Sequence, residues 1–489
     1  MMMMKSTFTW VGLWLVFFPL AVHAASLGFS VEEGPGSRLA VEVVDQARGT
    51  PVGGAEVVVG ERLDQLAQVE AFLTGWDGAT EVVLTGGERG QAVLVRASGY
   101  VPFAILGVSA GRLRVYLRSQ VQAAEVIVTG RLGGFPARSG SDRVQAGFVF
   151  RALSVFDLVQ FQFNQIISPL RDTIDVFGSR EIPANLVLPD QQVSIPFSSI
   201  HLNKPDYRLP LHAGVETRLA AIQGEIRSGD LIDLFVGGGK MDFGALNLLK
   251  MTKVGLTDVH APREGVRENF ETRFALAPKH TVSARAAPFP ADVVVAAAVD
   301  TNGDRQALVP TDLKTAAKAG QQVRPVRLMG AGSELAGERV VAALAIAESG
   351  KRLSGIAEMG VGDSVTLPEF RRVNELADFS TAPGLVQLSG VEGGLASLTV
   401  QKRLPPDSEG KPRVGEPLAV VYALPRAGVQ SVAFGRLGLS VAEVGRFAVS
   451  EFELGAAFDP ARIDADRALD GLKRFTRAMA TYKRDPSTF

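Results

Sequence analysis

The chain has no cysteine in 489 residues. That absence excludes a disulfide framework, a lipidated N-terminal cysteine, thiolate metal sites and cysteine nucleophiles. Neither sign of charge is in excess: 51 Lys and Arg stand against 52 Asp and Glu, for a net charge of −1. With no block of like charge, nothing resembles the basic footprint of a nucleic-acid binder or a polybasic membrane-surface segment. Asn-x-Ser/Thr glycosylation acceptors are missing as well, which suits a bacterial envelope protein. Long hydrophobic runs are lacking after the N-terminus. Ala291–Val299 is only strand-length, too short to span a bilayer.

The N-terminus itself is apolar. Lys5 precedes the greasy stretch Trp10–Val22, and Val22 and Ala24 place small residues at the −3 and −1 positions of a cleavage site. This is the secretory pattern, so residues 1–24 are expected to be a signal peptide. The stretch is shorter than the ~20 residues of a membrane span, and Pro19 interrupts it. The expectation is an exported protein, periplasmic or at the cell surface, with no transmembrane span after cleavage.

What the chain does contain is strand material. It is 46% hydrophobic, with 52 Gly and 26 Pro, and Val dominates many of the apolar runs. Such a composition can bury real cores and favours many short strands with frequent turns. The length suggests about three domains. Between 37 and 118 the strands are legible one by one: 39–44, 54–59, 79–84, 92–96, 103–106 and 112–117, separated by Gly/Asp turns.

The segments VEVVDQARGTPVGGAEVVV, TGWDGATEVVL and VRASGYVPF carry a resemblance. Asp45 with the turn Gly49-Thr-Pro51, Gly54-Ala55, Thr74, Asp77-Gly78 and Ser98-Gly-Tyr100 resemble the carboxypeptidase regulatory-like domain. The resemblance implies a transthyretin-like, seven-strand β-sandwich over 37–118, a fold sometimes grouped with carbohydrate-binding-like folds. It implies little about function, because such modules serve as spacers, chaperoning accessories and sugar-contacting domains. Asp77-Gly78 suits a turn needing positive φ, and Tyr100 can bury its ring while its hydroxyl finds a partner.

Further along, 119–145 reads as a Gly/Ser/Pro connector, and 146–265 as a mixed, Pro-rich β domain. In 156–163 apolar residues alternate as in a strand. Prolines at 183, 189, 196, 205 and 210 predict an extended, looping course, while 244–251 is helix-capable. Strand patterns resume in 266–489, read as one or more β-sandwich domains. Residues 405–412 read as a hairpin tip, and 466–484 as a helix or a last hairpin. The fold class is therefore mainly β: an N-terminal seven-strand transthyretin-like β-sandwich followed by further β-rich domains with a few short helices.

Chemical constellations are weak. His201, His212, His260 and His280 form no zinc-peptidase motif, although His201 and His212 are free to meet in space. Gly107-Val-Ser-Ala-Gly111 matches the nucleophile elbow in letters, but a strand follows where a helix is required, which makes it a hairpin turn. Gly237-Gly-Gly-Lys240 lacks the first glycine and the hydroxyl residue of a phosphate loop. Asp300, Asn302 and Asp304 alternate like the start of a calcium loop, but no later Glu closes it, and an Asn-Gly turn explains the same residues. The variant Asp300→Ala separates the two readings, since only an ion makes stability calcium-dependent. No catalytic residues and no other cofactor are expected. The reading is an exported, non-enzymatic structural or protein-interaction module of the bacterial cell envelope, with an envelope or extracellular protein partner. The alternatives are a carbohydrate- or peptide-binding protein and a hydrolase with an unrecognised carboxylate site.

Overall fold

The computed structural model of the chain describes the backbone of residues 28–484 apart from 47, 85–89, 121–123, 153–165, 176–177, 196–197, 216, 237–245, 247, 261, 273, 285–292, 301–306, 316–325, 332–339, 350–351, 362–363, 368–379, 383, 393, 407–412, 454–461 and 464–477. Side chains are described mainly for 28–272 and 382–449. The signal-peptide segment and the alternating stretch 156–163 thus lie outside the described residues. The structure is mainly β, with several sheets, one α-helix and short 3-10 turns among the described residues.

Eight strands come from 28–118: β1 (Phe29–Glu33), β2 (Arg38–Asp45), β3 (Glu56–Gly60), β4 (Phe72–Leu73), β5 (Ala79–Val83), β6 (Gln91–Arg96), β7 (Phe103–Val108) and β8 (Gly111–Leu117). Strands β1, β8, β2 and β5 are neighbours in one sheet, while β7, β6, β3 and β4 are neighbours in another. Alternation decides which side chains meet. Leu39, Val41 and Val43 of β2 face the same core as Val57 and Val59 of β3, Val93 and Val95 of β6, and Phe103 and Ile105 of β7.

The polar fixings of this sandwich use the residues that carry the family resemblance. Asp45 is buried, and its carboxylate accepts from the Arg48 backbone N–H at 2.8 Å and from the Tyr100 hydroxyl at 2.8 Å. Burial, then the bond to Asp45, pushes the Tyr100 hydroxyl above its ordinary pKa. Buried Thr74 takes an N–H from Ala55 at 2.9 Å and gives its own proton to the Val52 carbonyl at 2.8 Å. At Gly78, φ is +74°, and an added Cβ would lie 2.5 Å from the Val43 carbonyl oxygen, so only glycine fits there.

The middle of the chain supplies β9 (Glu125–Gly133), β10 (Arg143–Arg151), β11 (Arg171–Asp175), β12 (Ser179–Pro183), β13 (Leu186–Ile195), β14 (Ser198–Lys204), β15 (Asp206–His212), β16 (Thr217–Arg227), α1 (Ser228–Val236), β17 (Lys250–Val259) and β18 (Phe270–Glu271). Within the expected connector 119–145, residues 125–133 form a strand, because Val126, Val128 and Leu132 place apolar groups on one face. Of the helix-capable stretch 244–251, residues 246 and 248 are 3-10, while 250–251 open β17, which pairs along β16.

Three prolines of 181–210 lie in strands: Pro183 ends β12, Pro189 is in β13 and Pro210 in β15, while Pro205 connects β14 to β15. Pro189 lies in the bulge between Leu188 and Gln191, and Pro210 lies on β15, the edge of a three-stranded sheet β15-β9-β18. At that bulge the Gln191 side chain replaces a backbone ladder. It accepts the Gln145 N–H at 2.8 Å and donates to the Gln145 carbonyl at 2.7 Å. Strands β10 and β16 are buried on both faces. Val144, Ala146, Phe148 and Phe150 join the main core, while Val149 packs with Val128, Tyr207 and Leu209 on the other side.

The remaining strands are β19 (Phe274–Ala284), β20 (Val293–Asp300), β21 (Ala307–Thr315), β22 (Val326–Ala331), β23 (Val340–Ser349), β24 (Arg352–Val361), β25 (Ser364–Leu367), β26 (Ser380–Ala382), β27 (Leu385–Ser389), β28 (Gly394–Leu404), β29 (Arg413–Ala423), β30 (Val429–Ala433), β31 (Val444–Glu453), β32 (Arg462–Ile463) and β33 (Ala478–Arg484). Strand β33 pairs with β24 and β31, so 478–484 is not helical. Strands β28 and β29 pair antiparallel, with Leu404 opposite Arg413 across the expected hairpin tip. A single twelve-stranded sheet runs β21-β20-β23-β24-β33-β31-β28-β29-β7-β6-β3-β4. Its seam is the parallel pair β29–β7, where Val420 to Ala423 match Phe103 to Leu106. At the seam Tyr422 packs against Phe29 and Phe103, with ring centroids 5.0 and 5.8 Å away. On the opposite face Ala104 and Leu106 join Leu398, Val421, Val432 and Phe434.

Removing the Tyr100 hydroxyl takes the shorter of two hydroxyl donors from a buried Asp45 oxygen and leaves Ser119 at 3.4 Å. Tyr100→Phe is expected to lower the unfolding free energy by about 1–2 kcal/mol. Urea titration measures it, and an unchanged midpoint would show that the bond contributes nothing.

Candidate functional site

Those residues singled out from the sequence that are described lie apart from one another. The Gly107–Gly111 segment links β7 to β8, which lie in different sheets, so it is a crossover between sheets and not a hairpin. Gly111 has φ +133°, and a Cβ there would come 2.1 Å from the Glu32 carbonyl oxygen. The Ser109 hydroxyl donates to Glu33 at 3.1 Å and accepts from Arg426 at 2.8 Å. An imidazole is not among these partners, and the serine ties the crossover to the 425–427 turn.

His201 and His212 do not meet. Exposed His201 lies 2.6 Å from Asp190, and His212 lies 3.2 Å from Glu416. Among the described residues no group of three or more His, Asp or Glu is arranged to hold a metal. Asp300 ends β20 opposite Ala307 of β21. Asn302, Asp304 and the Gly237–Lys240 segment lie outside the described residues, as does the side chain of Asp300.

Two arrangements emerge that sequence spacing could not show. In the first, Glu416 of β29 accepts from Arg151 at the end of β10 (3.0 Å) and meets His212 at the end of β15 (3.2 Å). The pairs span 265 and 204 residues of chain. Burial pushes the Glu416 carboxyl up, but His212, Arg151 and Arg118 together hold it well below the usual carboxylate range. A general acid needs the opposite environment. The cluster clamps the middle strands to the C-terminal ones; the buried Nδ1 of His212 has no hydrogen-bond partner.

In the second, the turn between β4 and β5 presents Trp76 to solvent. Phe72, Leu73 and Trp76 are 37%, 64% and 93% exposed on an edge where both sheets of the sandwich end. The turn is rigid. Gly78 N–H donates to Gly75 O at 2.9 Å, Ala79 N–H to Asp77 at 3.1 Å, and Val43 N–H to Gly78 O at 2.8 Å. Beneath it, Thr74 is fixed as described. The backbone under the indole is thus fixed, so little backbone freedom remains to be lost there on docking.

No family model matches the chain, and no curated protein does. Among solved structures, the shaft pilin SpaA from Lactobacillus rhamnosus GG is 12% identical, covering 48% of this chain and 96% of that one, at a TM-score of 0.14. The minor pilin GBS52 of Streptococcus agalactiae is 10% identical, covering 48% and 95%, also at 0.14. The Bacillus anthracis TIE protein is 8% identical, covering 67% and 45%, at 0.15. At these scores the chains do not superpose as whole folds, and the likeness identifies neither a family nor a function. No helix among the described residues is long and apolar enough to cross a membrane.

The Glu416 clamp has a pH signature. Its folded carboxyl binds a proton less readily than an unfolded one, whose pKa is about 4.3. Its contribution is therefore complete above that value and is lost as the pH falls below it. Glu416→Gln is expected to cost about 2 kcal/mol near neutral pH and to flatten the loss of stability on acidification. Urea titrations of both proteins near pH 7 and pH 3 measure this; parallel acid losses would contradict it.

Proposed function

We propose that the protein is an exported, non-enzymatic interaction module of the bacterial cell envelope that docks a protein partner through the Trp76 edge. The observation that carries this reading is the rigid, exposed Phe72–Leu73–Trp76 surface at the end of both sandwich sheets. Exposed aromatic anchors on a preorganised base are the usual centres of binding energy. The signal-peptide pattern of 1–24 supports the export part of this reading. The finer fold reading belongs to the proposal too: 37–118 as a carboxypeptidase regulatory-like sandwich, with the later borders near 145 and 265. Calcium at Asp300, Asn302 and Asp304 is kept as the alternative to a plain β20–β21 turn.

Carbohydrate binding is the second reading, favoured by the same indole, whose flat face suits a sugar ring. The scarcity of other exposed aromatics weighs against it: among the described residues no other Trp, Tyr or Phe is more than 37% exposed.

Trp76→Ala removes the anchor without touching the core, so stability should stay within about 0.5 kcal/mol of the parent. Both proteins, as residues 25–489, are immobilised and exposed to envelope extract, and a glycan array is probed in parallel. A protein retained by the parent and lost with Trp76→Ala supports the proposal. Equal retention by both proteins contradicts it, and Trp76-dependent glycan binding with no protein retained would install the second reading.

A further inference from the structure

A second surface, on the middle strands and distinct from the Trp76 edge, has the geometry of an unfilled strand position. Strand β14 ends the eight-stranded sheet, and its sheet neighbour is β13; β11 pairs with β12 in a two-stranded hairpin. The outer edges of β14 and β11 flank one open cavity of about 440 Å³, lined by residues 172–175 on one side and 201–204 on the other. Both walls are thus continuous runs of strand backbone whose outer sides pair with no other strand among the described residues. No ladder joins them. They are connected at one end by side chains: Lys204 Nζ lies 3.0 Å from Asp172, and Arg208 holds the other oxygen of that carboxylate. The ammonium is further fixed by the carbonyls of Leu186 and Asp206, each at 2.7 Å.

The cavity has a floor, two walls and a charged mouth. Leu188 and Leu202 are buried beneath it, and half-buried Ile174 completes an apolar floor continuous with the main core. His201 and Asn203 alternate outward from β14, as Thr173 and Asp175 do from β11. A strand occupies roughly 4.8 Å by 10 Å in cross-section with a 3.4 Å rise, so the volume holds about three residues. Of the carboxylates around it, Asp172 is neutralised by Lys204 and Arg208, and Asp190 is held by His201 at 2.6 Å. Asp175, at the open end, has no ion-pair partner among the described residues.

We propose that this cleft binds an extended segment of another protein, which enters as a strand between β14 and β11. The occupant carries apolar side chains over Leu188, Leu202 and Ile174 and a lysine or arginine beside Asp175. Backbone pairing on two edges supplies affinity, while the floor and Asp175 select the sequence. This mode does not depend on the Trp76 surface.

The probe is a fluorescein-labelled Val-Lys-Val-Ser-Val peptide, titrated against the full mature chain by fluorescence anisotropy. Controls replace its Lys by Glu or methylate its backbone nitrogens. Saturable binding is expected, weakened about tenfold or more by either change. Asp175→Lys should reverse the preference so that the Glu peptide binds better, which a damaged fold cannot do. Trp76→Ala should leave the titration unchanged. Hydrogen exchange on the complex should slow in 171–175 and 198–204. The proposal is overturned by no binding, by binding that backbone methylation leaves intact, or by a preference that Asp175→Lys does not alter. It is also overturned if both edges are already protected from exchange in the free protein, because the strand position is then filled.

Discussion

The parallel pairing of β29 with β7 is the constraint on which the rest of the structure depends. It joins a strand from 413–423 to one from 103–108, and so makes a single sheet out of segments more than 300 residues apart. A parallel pair cannot be closed by a short turn, so the intervening chain must fold first or fold with it. On one face of the seam the rings of Phe29, Phe103 and Tyr422 interlock, and Tyr422 is fully buried with its hydroxyl pushed up by that burial. On the other face Ala104 and Leu106 meet the 385–437 region. Strand β7 is therefore buried on both sides, and a run of apolar residues rather than a strict alternation encodes it.

Covering β7 in this way decides where surface is left. One edge of the five-stranded sheet is capped by β32, and the twelve-stranded sheet continues past β7 into β29. The free end of the sandwich is the β4–β5 side, where Trp76 projects. With no disulfide available, long-range order inside the fold is set by buried polar groups that bond across long stretches of chain. Asn185 is one. It donates to the carbonyls of Val149 and Ile166 at 2.7 Å and accepts from Ser168 at 2.8 Å. The Asp45–Tyr100 bond, the Gln145–Gln191 exchange and the Glu416 clamp act alike. Each is costly to break because a buried group loses a partner, and so each helps to specify one register.

Strands bounded by turn residues were legible in the sequence. Six strands of 37–118 fall within a few residues of their expected places because Val/Ile/Leu alternation and Gly/Asp turns agree there. Strand β4 is two residues long, and β1 carries only Phe29 and Val31 inward, which is too little pattern to read. In 119–145 composition misled: Gly, Ser and Pro suggested a linker, while Val126 and Val128 were already placing a strand. Of the stretch 466–484, read as a helix or a last hairpin, the described part 478–484 is a strand held by its pairing with β24 and β31, and of the helix-capable 244–251 the last two residues open β17. Both surfaces assigned here were beyond reach from sequence. Trp76 was visible as a lone tryptophan, but its exposure follows from the turn geometry. The β11–β14 cleft and the Glu416 clamp depend on which strands end next to each other, and no local pattern carries that.

Native-state hydrogen exchange in mild denaturant tests the seam most directly, because it reads the opening free energy of each strand. If β7 and β29 form one cooperative structure, amides in 103–108 and 413–423 will open with the same free energy and the same denaturant dependence. If 413–423 exchanges through a much lower barrier while β7 stays protected with β6 and β3, the seam is not a structural unit and the continuous sheet is contradicted.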